Sequence, residues 1–302
     1  MGFISELFGY VLNALYNFVG NYGVAIIIFS VLLRIILIPI TIKQQKTMKK
    51  SNKMQQEVRE IQTKYKNNPE KLNQETIELY KREKMSPFSG CLSAILQLII
   101  ILCVFWLVSQ PLTYMKRVQN TDIYKEYKTK IEENTSTKST YKEIAIINNI
   151  ETDYQEIVNQ LQDENVENRE ELENKKSQME DLRINMEFLG LDLSKVPTQS
   201  LSDWKVYIIP VLYVITSFVS IRMTTKIQKS KKDDSEEKTE QEASMEQMNK
   251  SMSYMMPIMS ISIAAIAPLG LALYWLVSNV LIIIERVVIN KFMNSKEEEE
   301  NV

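Results

Sequence analysis

Polarity along this chain changes in long blocks rather than residue by residue. Residues 23–42 are apolar except for a few small polar side chains and one charge, Arg34. Further apolar runs cover 88–110, 206–221 and 252–284. A run of about 20 apolar residues is long enough to cross a bilayer as a helix. Pro268-Leu-Gly270 splits the last run into a short span and a second one reaching about residue 289. The blocks therefore predict five spans, at 20–42, 87–110, 204–221, 251–267 and 268–290. Trp204 and Tyr207 open the third of them as interfacial anchors.

Helical periodicity organises what lies between. Over residues 1–19, Glu6, Gly9, Asn13 and Asn17 recur at steps of three or four and make one polar stripe. This predicts an amphipathic helix lying in the membrane interface, ended by Gly20, Asn21 and Gly23. The stretch lacks the basic start and small-residue cleavage site of a secretory signal, and no cysteine precedes Cys91 to carry a lipid anchor. In 43–86, Met54, Val58, Ile61 and Tyr65 share one face, Asn67-Asn68-Pro69 is a turn, and Leu72, Leu79 and Tyr80 share a second face. The result is a charged helical hairpin. In 111–203, the stripes Ile147, Ile150, Tyr154, Ile157, Leu161 and Leu172, Met179, Leu182, Met186 predict an antiparallel helical hairpin, the alternative being a solvated acidic loop. Residues 222–250 form a polar loop with a disordered-type middle at 230–241. Met245, Met248, Met252, Met255 and Met259 make a stripe into the fourth span, either an adaptable surface for hydrophobic helices or ordinary packing. Residues 291–302 are an acidic tail. The fold class is all-α: a polytopic membrane protein with five transmembrane helices, a helical hairpin on each side and a short tail.

Charge then sets an orientation. Residues 43–86 carry 12 Lys/Arg against 6 Asp/Glu, whereas 111–203 carry 12 against 19. By the positive-inside rule the first hairpin and the tail are cytoplasmic, and the N-terminus and the 111–203 region are outside. Lys43, Lys46, Lys49, Lys50 and Lys53 are placed to meet anionic lipid head groups. Over all 302 residues the net charge is −2, so composition implies no specific nucleic-acid partner. There is no histidine. The two cysteines, Cys91 and Cys103, sit on one predicted helix roughly 18 Å apart, too far to bridge. No disulfide framework, Cys/His metal site or cofactor is expected.

Arg34 is the position where chemistry enters. An arginine near the bilayer centre costs about 2.5–3.5 kcal/mol on insertion scales. The apolar runs at 88–110, 206–221 and 252–284 contain no Asp or Glu to neutralise it. It either faces a polar, hydrated cavity or snorkels to the surface, roughly 12 Å away along the helix.

In this order these landmarks resemble the YidC/Oxa/Alb family of membrane protein insertases, in its five-span bacterial form. The resemblance rests on Arg34 with Pro39 after it, on Lys64-Tyr65-Lys66 and Leu79-Tyr80-Lys81 in the hairpin, and on Gly90-Cys91-Leu92 with Gln97. It rests above all on Pro268-Leu-Gly-Leu-Ala-Leu-Tyr274-Trp275-Leu-Val-Ser278-Asn279. It covers most of the chain except about 120–183. Ser86-Pro87 stands where the family usually has Asn-Pro, and Ser93 where it commonly has Pro. The acidic tail differs from the basic, ribosome-contacting tail of some relatives.

The resemblance implies a non-enzymatic insertase and chaperone with a hydrophilic intramembrane groove. Its substrates would be nascent membrane proteins, and its partners the Sec translocon, the ribosome and membrane lipids. Arg34 would attract acidic substrate residues, with Gln97, Thr216, Ser217, Trp275, Ser278 and Asn279 as groove lining; the alternative for the small polar residues is helix–helix hydrogen bonding. A membrane scaffold and a small-solute transporter are the rival readings, the transporter lacking visible intramembrane carboxylates or repeated broken helices.

Overall fold

The structure is a computed structural model that describes residues 2–83, 89–133, 141–163, 166, 168–228 and 262–300. The Met stripe, the core of the expected 222–250 loop and most of the fourth expected span fall on 229–261, outside the described residues. The described chain is helical apart from one two-stranded antiparallel hairpin pairing Glu187 with Asp192 and Phe188 with Leu191. It forms two compact units, Met1–Leu32 with Cys103–Lys291, and Leu33–Leu102 with Phe292–Val302.

The first long helix departs from expectation. Instead of a span ending near residue 42 and a separate hairpin arm, α2 runs unbroken over Tyr22–Lys64, following α1 at Gly2–Val19. Lys, Gln and Met after Ile42 are good helix formers and no breaker stands before Asn67, so polarity changes while conformation does not. Its 43 residues make roughly 65 Å of helix, about twice a hydrocarbon core. Pro39 is accommodated inside it. Residues 65–68 then turn the chain into α3, Pro69–Arg82. Asn68 caps α3 by accepting from the Lys71 amide at 3.1 Å, with proline at the first helical position. Arg82 pairs with Glu57 at 2.6 Å, Lys50 reaches the Glu83 carbonyl, and Met54 and Leu79 are buried. The two arms are thus antiparallel, as the periodicity predicts.

Helix α4, Ser89–Ser109, ends in a π turn at Leu112–Lys116. Beyond it stand α5 (Asp122–Glu133), α6 (Lys142–Leu161) and α7 (Arg169–Glu180). The predicted stripe Ile147, Ile150, Tyr154 and Ile157 is buried on α6, as are Met179, Leu182 and Met186. Tyr154 donates to Glu180 at 3.1 Å and Arg183 pairs with Glu151 at 2.8 Å, so α6 and α7 are antiparallel. The third helix, α5, is an addition: it packs on α6 through Ile123, Tyr124, Tyr127 and Ile131. Residues 111–207, called the cap below, end in a 3-10 turn at Trp204–Tyr207 that leads into α8, Ile208–Gln228.

Helix α9 runs over Leu269–Glu300, so the backbone of the expected tail continues as helix through residue 300. Among the described residues, three segments are long and apolar enough to cross a membrane: Tyr22–Thr47, Trp204–Met223 and Leu269–Ile289; Ile95–Ser109 is a shorter apolar helix. Helix α1 packs against the π turn so closely that a Cβ at Gly9 would overlap the Tyr114 carbonyl oxygen. The expected polar stripe on α1 is therefore split. Gly9 is buried and Asn13 half-buried, while Phe3, Leu7, Tyr10 and Phe18 form an exposed apolar face.

Candidate functional site

Helices α8 and α9 run parallel and meet along a polar ladder. At the cap end the Tyr213 and Trp275 rings lie 6.1 Å apart. One turn on, the Asn279 Nδ2 donates to Thr216 Oγ1 at 3.2 Å and to Ser217 Oγ at 3.0 Å. Thr216 Oγ1 in turn donates to the Tyr213 carbonyl at 2.9 Å. Further along, Arg286 donates to the Ser220 carbonyl and hydroxyl, each at 3.4 Å. The spacing explains the register. Residues 213, 216/217 and 220 lie three to four apart on one face of α8, and 275, 279 and 286 are four and seven apart on one face of α9.

Four of the residues expected at a site, Thr216, Ser217, Trp275 and Asn279, are therefore brought together, and Ser278 is half-buried beside Asn279. Arg34 and Gln97 belong to the other compact unit. Arg34 is half-buried on α2 and engaged in a polar or electrostatic interaction. Gln97 is exposed on α4 between Leu96 and Leu98. Glu285 and Arg286 lie just past the apolar run ending at residue 284 yet inside the span predicted at 268–290, and the sequence pattern assigns them no role. They are half-buried inside the segment Leu269–Ile289 and put both signs of charge within it. Their signal was available: Arg286 lies seven residues, two turns, past Asn279.

A separate cleft opens where the cap meets the starts of neighbouring helices. It encloses about 710 Å³ and is lined by Tyr16, Lys116, Glu151, Arg183, Asn185 and Lys195 among others. Two ion pairs line it, Arg183 with Glu151 at 2.8 Å and Lys195 with Asp203 at 2.9 Å. Burial pushes the Lys116 amine below its ordinary value, partly offset by the charge of Asp181. Among the described residues no cluster of acidic or cysteine side chains is arranged to hold a metal ion.

The bonds from Asn279 to Thr216 and Ser217 are helix–helix hydrogen bonds, the alternative named for these small polar residues; comparison with known proteins identifies the family. Residues 14–297 match the family of the 60Kd inner membrane protein. Two relatives are each called a membrane protein insertase YidC. One, from Caldanaerobacter subterraneus subsp. tengcongensis, is 46% identical over 105 residues, 35% of this chain and 51% of that protein. The other, from Fusobacterium nucleatum subsp. nucleatum, is 41% identical over 102 residues, 34% and 50% of the two chains. A third of the same name, from Francisella tularensis subsp. novicida, is 34% identical over 108 residues, 36% of this chain and 20% of that protein. The chain spans about half the length of the first two relatives and a fifth of the third. With the family match extending over nearly all of its residues, the chain belongs to the 60Kd inner membrane protein family.

Proposed function

We propose that this chain is a membrane protein insertase that passes nascent membrane proteins into the bilayer and helps them fold, alone or with a Sec-type translocon. The observation that carries the reading is the polar ladder of Thr216, Ser217, Asn279, Ser220 and Arg286 within helices otherwise apolar enough to cross a membrane. Polar and charged groups at membrane depth are costly and persist where they serve a polar path. The relatives' name supports the same reading.

In mechanism, a substrate hairpin must carry its polar tail through hydrocarbon. Polar side chains shorten the dry part of that route. Arg34 contributes a fixed positive charge on α2, and its attraction for a carboxylate grows as the local dielectric falls. The membrane potential adds about 2.3 kcal/mol per elementary charge per 100 mV, in the direction it favours. Gln97, Trp275 and Ser278 are the further lining residues in this reading. The positively charged 43–83 hairpin lies on the cytoplasmic side with the C-terminus, and the cap and N-terminus lie outside. Exposed Lys43, Lys46 and Lys50 then face the anionic leaflet.

The test is insertion of matched single-span substrates, one with an acidic and one with a neutral translocated tail, into liposomes holding the purified full chain. Arg34→Ala lowers the yield of the acidic substrate, Arg34→Lys retains much of it, and Arg34→Glu falls below Arg34→Ala. Neutral tails suffer less throughout. Equal yields across the variants with the acidic substrate would remove Arg34 from the mechanism.

A further inference from the structure

We propose that the cap is a brace: working outward from α6, it ties the ends of α2, α4, α8 and α9 to one another on its own side. Arg183, Glu151 and Glu143 are its positioning residues.

Helix α6 has two attachments. At its start, the Glu143 carboxylate accepts from the Leu112 amide at 2.7 Å and the Thr113 amide at 3.0 Å, just beyond the end of α4; the Thr113 and Tyr124 hydroxyls donate to its other oxygen. Two turns later, Glu151 accepts from Arg183 Nε and Nη2, both at 2.8 Å, while the guanidinium lies 3.7 Å from the Tyr154 ring centroid. A fork held both edge-on and face-on has little freedom to turn.

What Arg183 holds is the start of the segment 185–195, and that segment caps two helices. The first amides of a helix have no partner within it. Here they find main-chain carbonyls far away in sequence. The Tyr22 amide at the start of α2 donates to the Asn185 carbonyl at 3.0 Å, and Asn21 Nδ2 donates to the Glu187 carbonyl at 2.6 Å. The Phe188 ring fills the space left by Gly23. The segment then turns back through the β hairpin. The Leu193 carbonyl accepts from the Gly270 amide at 2.8 Å, and the Lys195 carbonyl accepts from the Leu269 amide at 2.9 Å, at the start of α9. Lys195 also pairs with Asp203, whose carboxylate accepts from the Lys205 amide in the turn that begins α8. One short segment thus joins the starts of α2, α8 and α9, and α6 joins it to the end of α4. This gives the 120–183 region a task. Resting on the insertase reading, it means that the helices part at the ends away from the cap.

The test is hydrogen exchange by mass spectrometry on the full chain in nanodiscs, with fragments covering 20–24, 111–114, 147–157, 211–219 and 267–272. In Arg183→Ala, exchange in 20–24 and 267–272 speeds up about tenfold, while 111–114, held by Glu143, and the middle of α8 are unchanged. The charge-swapped pair Arg183→Glu with Glu151→Arg restores protection. If Arg183→Ala also releases the middle of α6, Arg183→Lys is read by the same criteria, since it keeps the charge and loses only the fork. Unchanged exchange in 20–24 and 267–272, or no restoration by the swap, overturns the brace. Insertion assays on the same variants keep the two readings apart. Faster exchange with undiminished insertion leaves the brace standing and removes its link to insertion.

Discussion

Replacing Glu143 with leucine should weaken the cap much more than replacing it with glutamine. The buried carboxylate receives two main-chain amides on one oxygen and two hydroxyls on the other. Glutamine keeps a carbonyl oxygen that can still accept both amides, and the hydroxyls of Thr113 and Tyr124 can rotate to accept from its amide group. Its net cost should be about 1 kcal/mol, the usual scale of one or two rearranged hydrogen bonds. Leucine leaves the Leu112 and Thr113 amides without an acceptor, and amides cannot rotate away. At about 1–3 kcal/mol for each buried unsatisfied group, the loss should be about 2–6 kcal/mol. The assay is thermal unfolding of the detergent-solubilised full chain, with exchange at 111–114 reporting the local contact. pH gives an independent signature. Burial raises the Glu143 carboxyl above the ordinary carboxylate range, and its four donors only partly oppose this. The folded chain therefore holds that proton more tightly than the unfolded chain, so this group's contribution is present at acid pH and is lost as pH rises through the folded value. Glu151, lowered by its hydrogen bonds from Arg183, and Asp203, lowered by Lys195, act in the opposite sense and lose their contributions as pH falls. They are common to wild type and Glu143→Gln, so the difference between the two isolates Glu143. Stability of wild type relative to Glu143→Gln should fall as pH rises from the ordinary carboxylate range through the raised folded value. Leucine costing no more than glutamine, or a difference that rises with pH, would refute this account of the site.

Three further outcomes are expected. Gly9→Ala should cost about 1–3 kcal/mol because the new Cβ meets the Tyr114 main chain, and Gly23→Ala should also destabilise because its Cβ would overlap Cβ and Cγ of Phe188; thermal unfolding of the two variants measures both. Asn279→Leu should change stability by only about 1 kcal/mol, since intramembrane hydrogen bonds average about 0.6 kcal/mol, yet should reduce insertion of polar-tailed substrates; unchanged insertion would reduce the ladder to packing. With Cys91 and Cys103 removed, a cysteine at Thr63 should be shielded from an impermeant thiol reagent added outside whole cells and one at Gln155 labelled, both positions being exposed in the structure; the reverse pattern would invert the orientation.

Features that depend on local pattern are legible in the order of the amino acids. Apolar runs located α2, α4, α8 and α9, because burial in hydrocarbon acts on each segment alone. The stripe Ile147, Ile150, Tyr154, Ile157 located α6, and Asn67-Asn68-Pro69 placed the turn before α3, because periodicity and capping act within a few residues. Helix α5, with Ile123, Tyr124, Tyr127 and Ile131 buried, is an addition to the two-helix hairpin that the stripes predict. The ladder was legible in part: Thr216, Ser217 and Asn279 stood out as polar residues in apolar runs, but only the register of two packed helices decided that they meet. What the tertiary structure alone decided are the links with no local signature. Helix α2 does not end where its polarity changes, since helix propensity does not follow hydropathy. Glu143 reads as one more acid in an acidic region until packing surrounds it with four donors. The Asn185, Leu193 and Lys195 carbonyls that cap α2 and α9 are main-chain groups, present in every residue and therefore invisible in any sequence pattern. They become partners only when folding brings together segments that are far apart in the chain, Asn185 and Tyr22 among them.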